Sequence, residues 1–133
     1  MHPVWLDVDT VKELNQIALG SDRASALNQG SDLEGALNRP RGYYAYGEER
    51  SLYALAAHYA IAIAKAHAFE DGNKRTALLA VRAFLRLNRM DFDFGAYDEE
   101  AAAIMQNIAT DSIEHEDVTK WIRKHSVGNT RDG

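Results

Sequence analysis

At 133 residues, with 46% hydrophobic and 26% charged side chains, the chain has the size and composition of one ordinary domain able to bury its own core. A net charge of −5 argues against direct nucleic-acid binding, because such domains are usually basic, and the absence of cysteine excludes disulfides and thiolate metal sites. No charged region followed by an apolar core opens the chain, and the apolar run at 52–64 is short and broken by His58, so neither a secretory signal nor a membrane span is expected and the protein reads as cytoplasmic.

Val4 to Leu6 is a short apolar start. Asp9 or Thr10 then reads as the cap of a helix to about Leu19, with Val11, Leu14, Ile17 and Ala18 on its inner face and Gly20 as its terminator. In the polar stretch 21–39, Ser31 or Asp32 could cap one or two turns carrying Leu33, Ala36 and Leu37. Pro40 is expected to end them, since the residue before a proline disfavours helix. Arg41 to Gly47 is aromatic, glycine-bounded and predicted to be non-helical. Its Tyr43, Tyr44 and Tyr46 either pack on neighbouring helices or form a surface that grips a substrate or partner.

Glu48 and Glu49 suit the first turn of a helix from Ser51 to about Ala66. That helix is apolar on most sides, as the buried centre of a bundle would be. A second helix is predicted from Asn73 to Asn88, with Ala77, Leu78, Val81, Phe84, Leu85 and Leu87 as its apolar set. Met90, Phe92 and Phe94 alternate with acids like a short edge strand. Asp98, Glu99 and Glu100 open a further helix with Ala101, Ile104, Met105 and Ile108 inward. After a break at 111–117, Val118, Trp121 and Ile122 mark a last amphipathic helix. Residues 126–133 read as a flexible tail behind a single domain at 1–125. The pattern is all-α, with five to seven helices and little strand.

Between the two central helices lies His67-Ala68-Phe69-Glu70-Asp71-Gly72-Asn73-Lys74-Arg75-Thr76. The first N–H groups of a helix have no intrahelical partner and carry the positive end of the dipole, so a phosphate can sit there. Gly72 lets the backbone approach and turn. Lys74 and Arg75 are misplaced by the dipole rule, which prefers acids in a first turn; two cations there make sense if an anion binds between them. His67 can take a proton near neutral pH. Asp71 is a hard oxygen ligand suited to Mg²⁺. Phe69 is expected to point into the core and pin the loop, and Asn73 either to bond a phosphate oxygen or to brace the loop. A base, a metal ligand, an anion hole and cations together suit transfer of a phosphate-containing group from a nucleotide to a hydroxyl. The acids and His115 at Glu114, Glu116 and Asp117 are adjacent rather than at ligand spacing, and read as a solvated turn.

These residues resemble the signature of the Fic/Doc family. The Fic form H-P-F-x-[D/E]-G-N-G-R-x-x-R is matched by His67, Phe69, Asp71, Gly72, Asn73 and Arg75. It is broken by Ala68, by Lys74 in place of the second glycine and by Leu78 in place of the second arginine. The form H-x-F-x-D-x-N-K-R-T-A is instead that of the Doc branch, the "death on curing" toxins. Leu33 to Pro40 is similar to the Doc stretch L-x-S-A-L-x-R-P, followed by Tyr44-Ala45-Tyr46-Gly47. The resemblance extends over about residues 4–125.

It implies a compact helical bundle of about six helices with a short non-helical flap, and a toxin of a toxin–antitoxin pair. It further implies a kinase that passes the γ-phosphoryl group of ATP to a Thr or Ser hydroxyl, in the family a threonine of elongation factor Tu, arresting translation. His67 would be the base, Asp71 the Mg²⁺ ligand and Gly72, Asn73, Lys74 and Arg75 the phosphate-binding set. Tyr43, Tyr44 and Tyr46 would lie near the flap that aligns the target. Lys74 adds a charge that can meet a terminal phosphate, and Leu78 removes a clamp on the far phosphates, so kinase chemistry is favoured over AMP transfer. A degenerate binding module is the non-enzymatic alternative. The Fic self-inhibitory motif is missed, with Gly30 where a Ser or Thr should precede Glu34, so inhibition is expected from a separate antitoxin with a disordered segment that folds on binding.

Overall fold

Local caps set most of the helix boundaries in the computed structural model, which describes residues 2–47, 51–93 and 99–128. Helix α1 runs Val8–Leu19. Its cap is Asp7, whose carboxylate accepts from Thr10 N at 2.8 Å, two residues ahead of the expected start. Gly20, at φ 62°, closes it in the left-handed region that glycine occupies freely. Helix α2 is Leu33–Ala45, capped by Asp32. Helix α3 is Leu52–Ala66, capped by Ser51. Helix α4 is Asn73–Leu87, with Leu87 of its apolar set left exposed, at 47%; α5 is Glu99–Ala109 and α6 is His115–Lys124. A small ribbon, β1 Met90–Phe92 with β2 Ser126–Gly128, pairs antiparallel with Asp91 opposite Val127. The expected helical bundle is therefore what forms. Among the described residues no helix is long and apolar enough to cross a membrane.

Helix α3 is the centre. It packs against α2, α4, α5 and α6, and Lys65 is its only exposed residue. Its alanines let the neighbouring helices approach closely, while Leu55, Tyr59 and Ile63 fill the space between them, all fully buried. Each fully buried large apolar side chain contributes roughly 1.5–3 kcal/mol. The Tyr59 hydroxyl accepts from Leu6 N at 3.0 Å, which satisfies the one polar atom of that ring and ties the N-terminal segment to the core. Burial raises the Tyr59 pKa above its ordinary value.

Four expectations are corrected. Pro40 does not end a helix: α2 continues through it to Ala45, so the segment from Arg41 is helical rather than an extended flap. An interior proline costs about 3 kcal/mol, but Leu33, Ala36, Leu37 and Pro40 are all buried and Tyr44 packs against the same core. That stripe, at helical spacing, offsets the cost. On α1 the buried face is Val11 and Asn15, and Ile17 is 64% exposed, because Asn15 finds polar partners inside. Residues 126–128 are not frayed: they pair with β1, and Phe92 packs edge-on against Trp121 at 5.3 Å. The break after α5 is shorter than 111–117, since α6 begins at His115. The expected roles of Glu48, Glu49, Phe94 and Asp98, and of the tail at 129–133, lie outside the described residues.

Candidate active site

The site forms where α3 stops and α4 starts. His67 caps α3 in the left-handed region, φ 47° and ψ 43°, a conformation that costs a non-glycine residue roughly 1–2 kcal/mol and so needs support from its surroundings. It turns the chain sharply. Ala68 and Phe69 then drop into the core, 1% and 0% exposed, which anchors the loop as expected. Gly72 makes the second reversal at φ 79° and is the N-cap of α4. Between these turns His67, Glu70 and Asp71 stay exposed.

Asn73 resolves one open alternative. Its Oδ1 accepts from Phe69 N at 3.0 Å and its Nδ2 donates to Phe69 O at 2.7 Å. The side chain therefore braces the loop from inside the first turn. Asp71 Oδ1 accepts from Gly72 N at 2.8 Å. No side chain caps the α4 N-terminus by a hydrogen bond and no acid occupies its first turn, so the positive end of this helix is paired with Lys74 and Arg75 rather than offset by them.

A cavity of about 460 Å³ opens at this point. It is lined by His67, Glu70, Asp71, Gly72, Asn73, Lys74 and Arg75 with Ala18 and Leu19 from the end of α1. The structure thus brings together every motif residue singled out for chemistry. It does not bring in the tyrosines: none of them lines this cavity. Tyr43 stacks on His58 at 4.0 Å, Tyr44 meets Trp5 edge-on at 5.6 Å, and Tyr46 is 82% exposed beyond α2. His115 Nε2 bonds Ala54 O at 3.1 Å and its ring stacks on His58; among the described residues no group of three or more His, Asp or Glu side chains is arranged to hold a metal.

The segment that does lie beside the motif is 25–28. Leu27 and Phe69 form an antiparallel bridge, with Glu70 N donating to Ala26 O at 2.9 Å and Asn28 N to Ala68 O at 2.7 Å. Asn28 Nδ2 donates to His67 O at 2.6 Å and to Phe69 O at 3.0 Å. From below, the fully buried Asn15 donates to Asp71 O at 3.0 Å and to Thr76 Oγ1 at 3.1 Å, while its Oδ1 accepts from Ser25 N at 2.7 Å. From α5, Gln106 Oε1 accepts from Lys74 Nζ, and in the turn after it Asp111 pairs with Lys65 at 2.9 Å.

Sequence reasoning missed Asn15, Asn28 and Gln106. Only Asn15 left a signal, as a polar residue one turn after Val11 on an otherwise apolar stripe.

A family model described as the Fic/DOC family matches residues 5–85, a span that holds the whole motif and its 25–28 neighbour. The chain is also similar to "Protein kinase doc" of Escherichia phage P1, 35% identical over 92 residues, which is 68% of this chain and 70% of that protein.

Proposed function

The chain belongs to the Fic/DOC family, and from that premise we propose that it is a protein kinase of the Doc kind, which passes the γ-phosphoryl group of ATP to a protein hydroxyl. The observation that carries the proposal is that a single cavity is shared by an exposed imidazole, an exposed carboxylate, and an ammonium and guanidinium in the first turn of α4. The similar phage protein is itself named a protein kinase. Lys74 stands where AMP-transferring relatives by resemblance carry glycine, and its charge suits a terminal phosphate.

In this reading the polyphosphate lies over the start of α4. It is held by backbone N–H groups near Gly72 and by the cations of Lys74 and Arg75, which stabilise charge as it spreads in the transition state. The His67 imidazole accepts the proton of the attacking Thr or Ser hydroxyl as the new O–P bond forms and the bond to the β-phosphate oxygen breaks, releasing ADP. Asp71 is the residue that would hold Mg²⁺. Its exposed carboxylate is the kind of hard oxygen such an ion takes from protein. When bound, that ion would screen the phosphate charges. The Asn73 side chain holds the loop in shape through its two bonds to Phe69.

The biological setting follows the family. The target would be elongation factor Tu, the outcome arrest of translation in the cytoplasm, and the regulator an antitoxin whose disordered segment folds on binding.

The test is incubation of the protein and Mg²⁺ with cell lysate and ATP labelled at the γ or the α position. Label arriving from the γ position alone is the expected result, and it disappears with His67→Ala while the fold is kept. Label from the α position would replace this reading with AMP transfer. No transfer of either label, with growth arrest persisting in His67→Ala, would leave a binding module.

A further inference from the structure

Three consecutive carbonyls of the motif accept hydrogen bonds from one residue outside it. Asn28 reaches His67 O at 2.6 Å and Phe69 O at 3.0 Å through its side-chain amide, and Ala68 O at 2.7 Å through its main chain. An asparagine amide has two N–H donors, and both are used here. A serine could make one of these side-chain bonds and an alanine neither.

The consequence falls on His67. Its backbone is left-handed, and its carbonyl, one of the last of α3, lies where a helix leaves carbonyls without intrahelical partners. Asn28 supplies that partner, which fixes the plane of the peptide bond after His67 and with it the direction of the Cα–Cβ bond. Among the described residues no hydrogen bond holds the imidazole itself, so the ring's aim depends on its backbone. Many histidines that work as bases are oriented through a ring nitrogen by a third group; here the orienting contact is made one step back, at the carbonyl.

We propose that Asn28 is a positioning residue that aims the His67 imidazole into the cavity shared with Asp71 and Lys74. The inference rests on the reading of His67 as the base, and its test separates the two. The wild-type protein, Asn28→Ala, Asn28→Ser and, as a control on the same segment, Leu27→Ala are compared. Leu27 points its side chain outward, 44% exposed, and leaves the main-chain bonds in place.

Two readouts are taken. The first is the His67 ring resonance by histidine-selective NMR in the ligand-free protein. The second is apparent kcat and KM for ATP in γ-phosphate transfer to the lysate acceptor.

With Asn28→Ala the His67 signal moves or broadens while that of His115 stays. The apparent kcat falls by about 10- to 100-fold, the range expected when a reacting group is displaced by about an ångström, and KM for ATP stays within about twofold because the phosphate-binding turn is untouched. Asn28→Ser, which restores one donor, recovers part of the loss, and it carries the test should the alanine variant fail to fold. Leu27→Ala matches wild type. An unchanged His67 signal and wild-type kcat in the folded Asn28 variants overturn the inference. A wild-type protein that transfers no γ-phosphate sinks the kinase reading instead, and the NMR comparison then decides the role of Asn28 alone.

Discussion

The side-chain amide of Asn15 donates to the main-chain carbonyl of Asp71 across 3.0 Å, although 56 residues separate them. The same side chain serves Thr76 on α4 and Ser25 in the 25–28 segment, so four segments meet at one fully buried group. A buried hydrogen-bonding partner left unpaired costs about 1–3 kcal/mol. Asn15→Ala is expected to lower the unfolding free energy by about that much in urea titrations at neutral pH. Asn15→Asp should be at least as costly, because it sets an anion against the Asp71 carbonyl. A loss of less than about 0.5 kcal/mol for Asn15→Ala, the ordinary scatter for a surface change, would refute the clamp.

Gly72 and Gly30 make a controlled pair. Both have positive φ, 79° and 80°, but a Cβ on Gly72 would sit 3.1 Å from Leu19 Cδ2 and 3.2 Å from Asn15 Nδ2, whereas one on Gly30 meets nothing within 4 Å. Each glycine-to-alanine change carries a backbone penalty of roughly 1–2 kcal/mol. Gly72→Ala should lose more stability than Gly30→Ala in thermal melts. It alone should weaken ATP binding in calorimetry, since the crowded turn is also where the proposed ATP phosphates would approach. Equal losses and equal affinities would remove the argument for a packed phosphate turn.

Gln106 offers a way to change the charge at Lys74 without touching the motif. In wild type the half-buried ammonium donates to a neutral amide oxygen. Gln106→Glu converts this to an exposed ion pair, worth about 0.2–1 kcal/mol, which a phosphate must then compete with. ATP affinity is expected to drop roughly two- to fivefold at low salt, and the difference should shrink as salt screens the pair. Affinity unaffected at any ionic strength would show that Lys74 does not meet the nucleotide.

Acid stability should depend on Glu100. Its carboxylate accepts from Trp121 Nε1 at 2.8 Å and from His125 Nε2 at 3.0 Å. The Trp121 bond is the largest effect and lowers its pKa below the ordinary 4.5; burial opposes it, and the His125 bond and charge lower it further. A carboxyl depressed in the folded state contributes stability that is fully present above the unfolded value and is lost as pH falls through the folded one. Melting temperatures from about pH 3 to about pH 6 should therefore fall more steeply in wild type than in Glu100→Gln below about pH 4.5. Parallel curves would count against this contact as a source of acid sensitivity.

How much could be read beforehand depended on how local each cause was. Asp32, Ser51 and Gly20 act within a turn of themselves, and the ends they set were legible. Pro40 was misread because its local preference is to stop a helix, while the stripe Leu33, Ala36, Leu37, Pro40 and Tyr44 favours continuing it; tertiary burial won. Ile17 was placed inward because it is apolar, but the position facing the core is taken by Asn15, whose polarity is satisfied only by residues far along the chain. Ser126 to Gly128 looked like a tail because a strand partner more than 30 residues away, as with Phe92 opposite Ser126, is invisible in a window of a few residues.

The candidate chemistry itself was written in one stretch: His67, Asp71, Gly72, Asn73, Lys74 and Arg75 stand close enough in sequence that a helix end and a helix start bring them to one place without help. That much the order of amino acids determined, because groups separated by a turn or two have little freedom to part. The tertiary structure decided what holds them there, through Asn15, Asn28 and Gln106 arriving from α1, the 25–28 segment and α5. No local rule reports such contacts, since their energy appears only once the bundle has closed and the chain entropy of bringing distant segments together has been overcome.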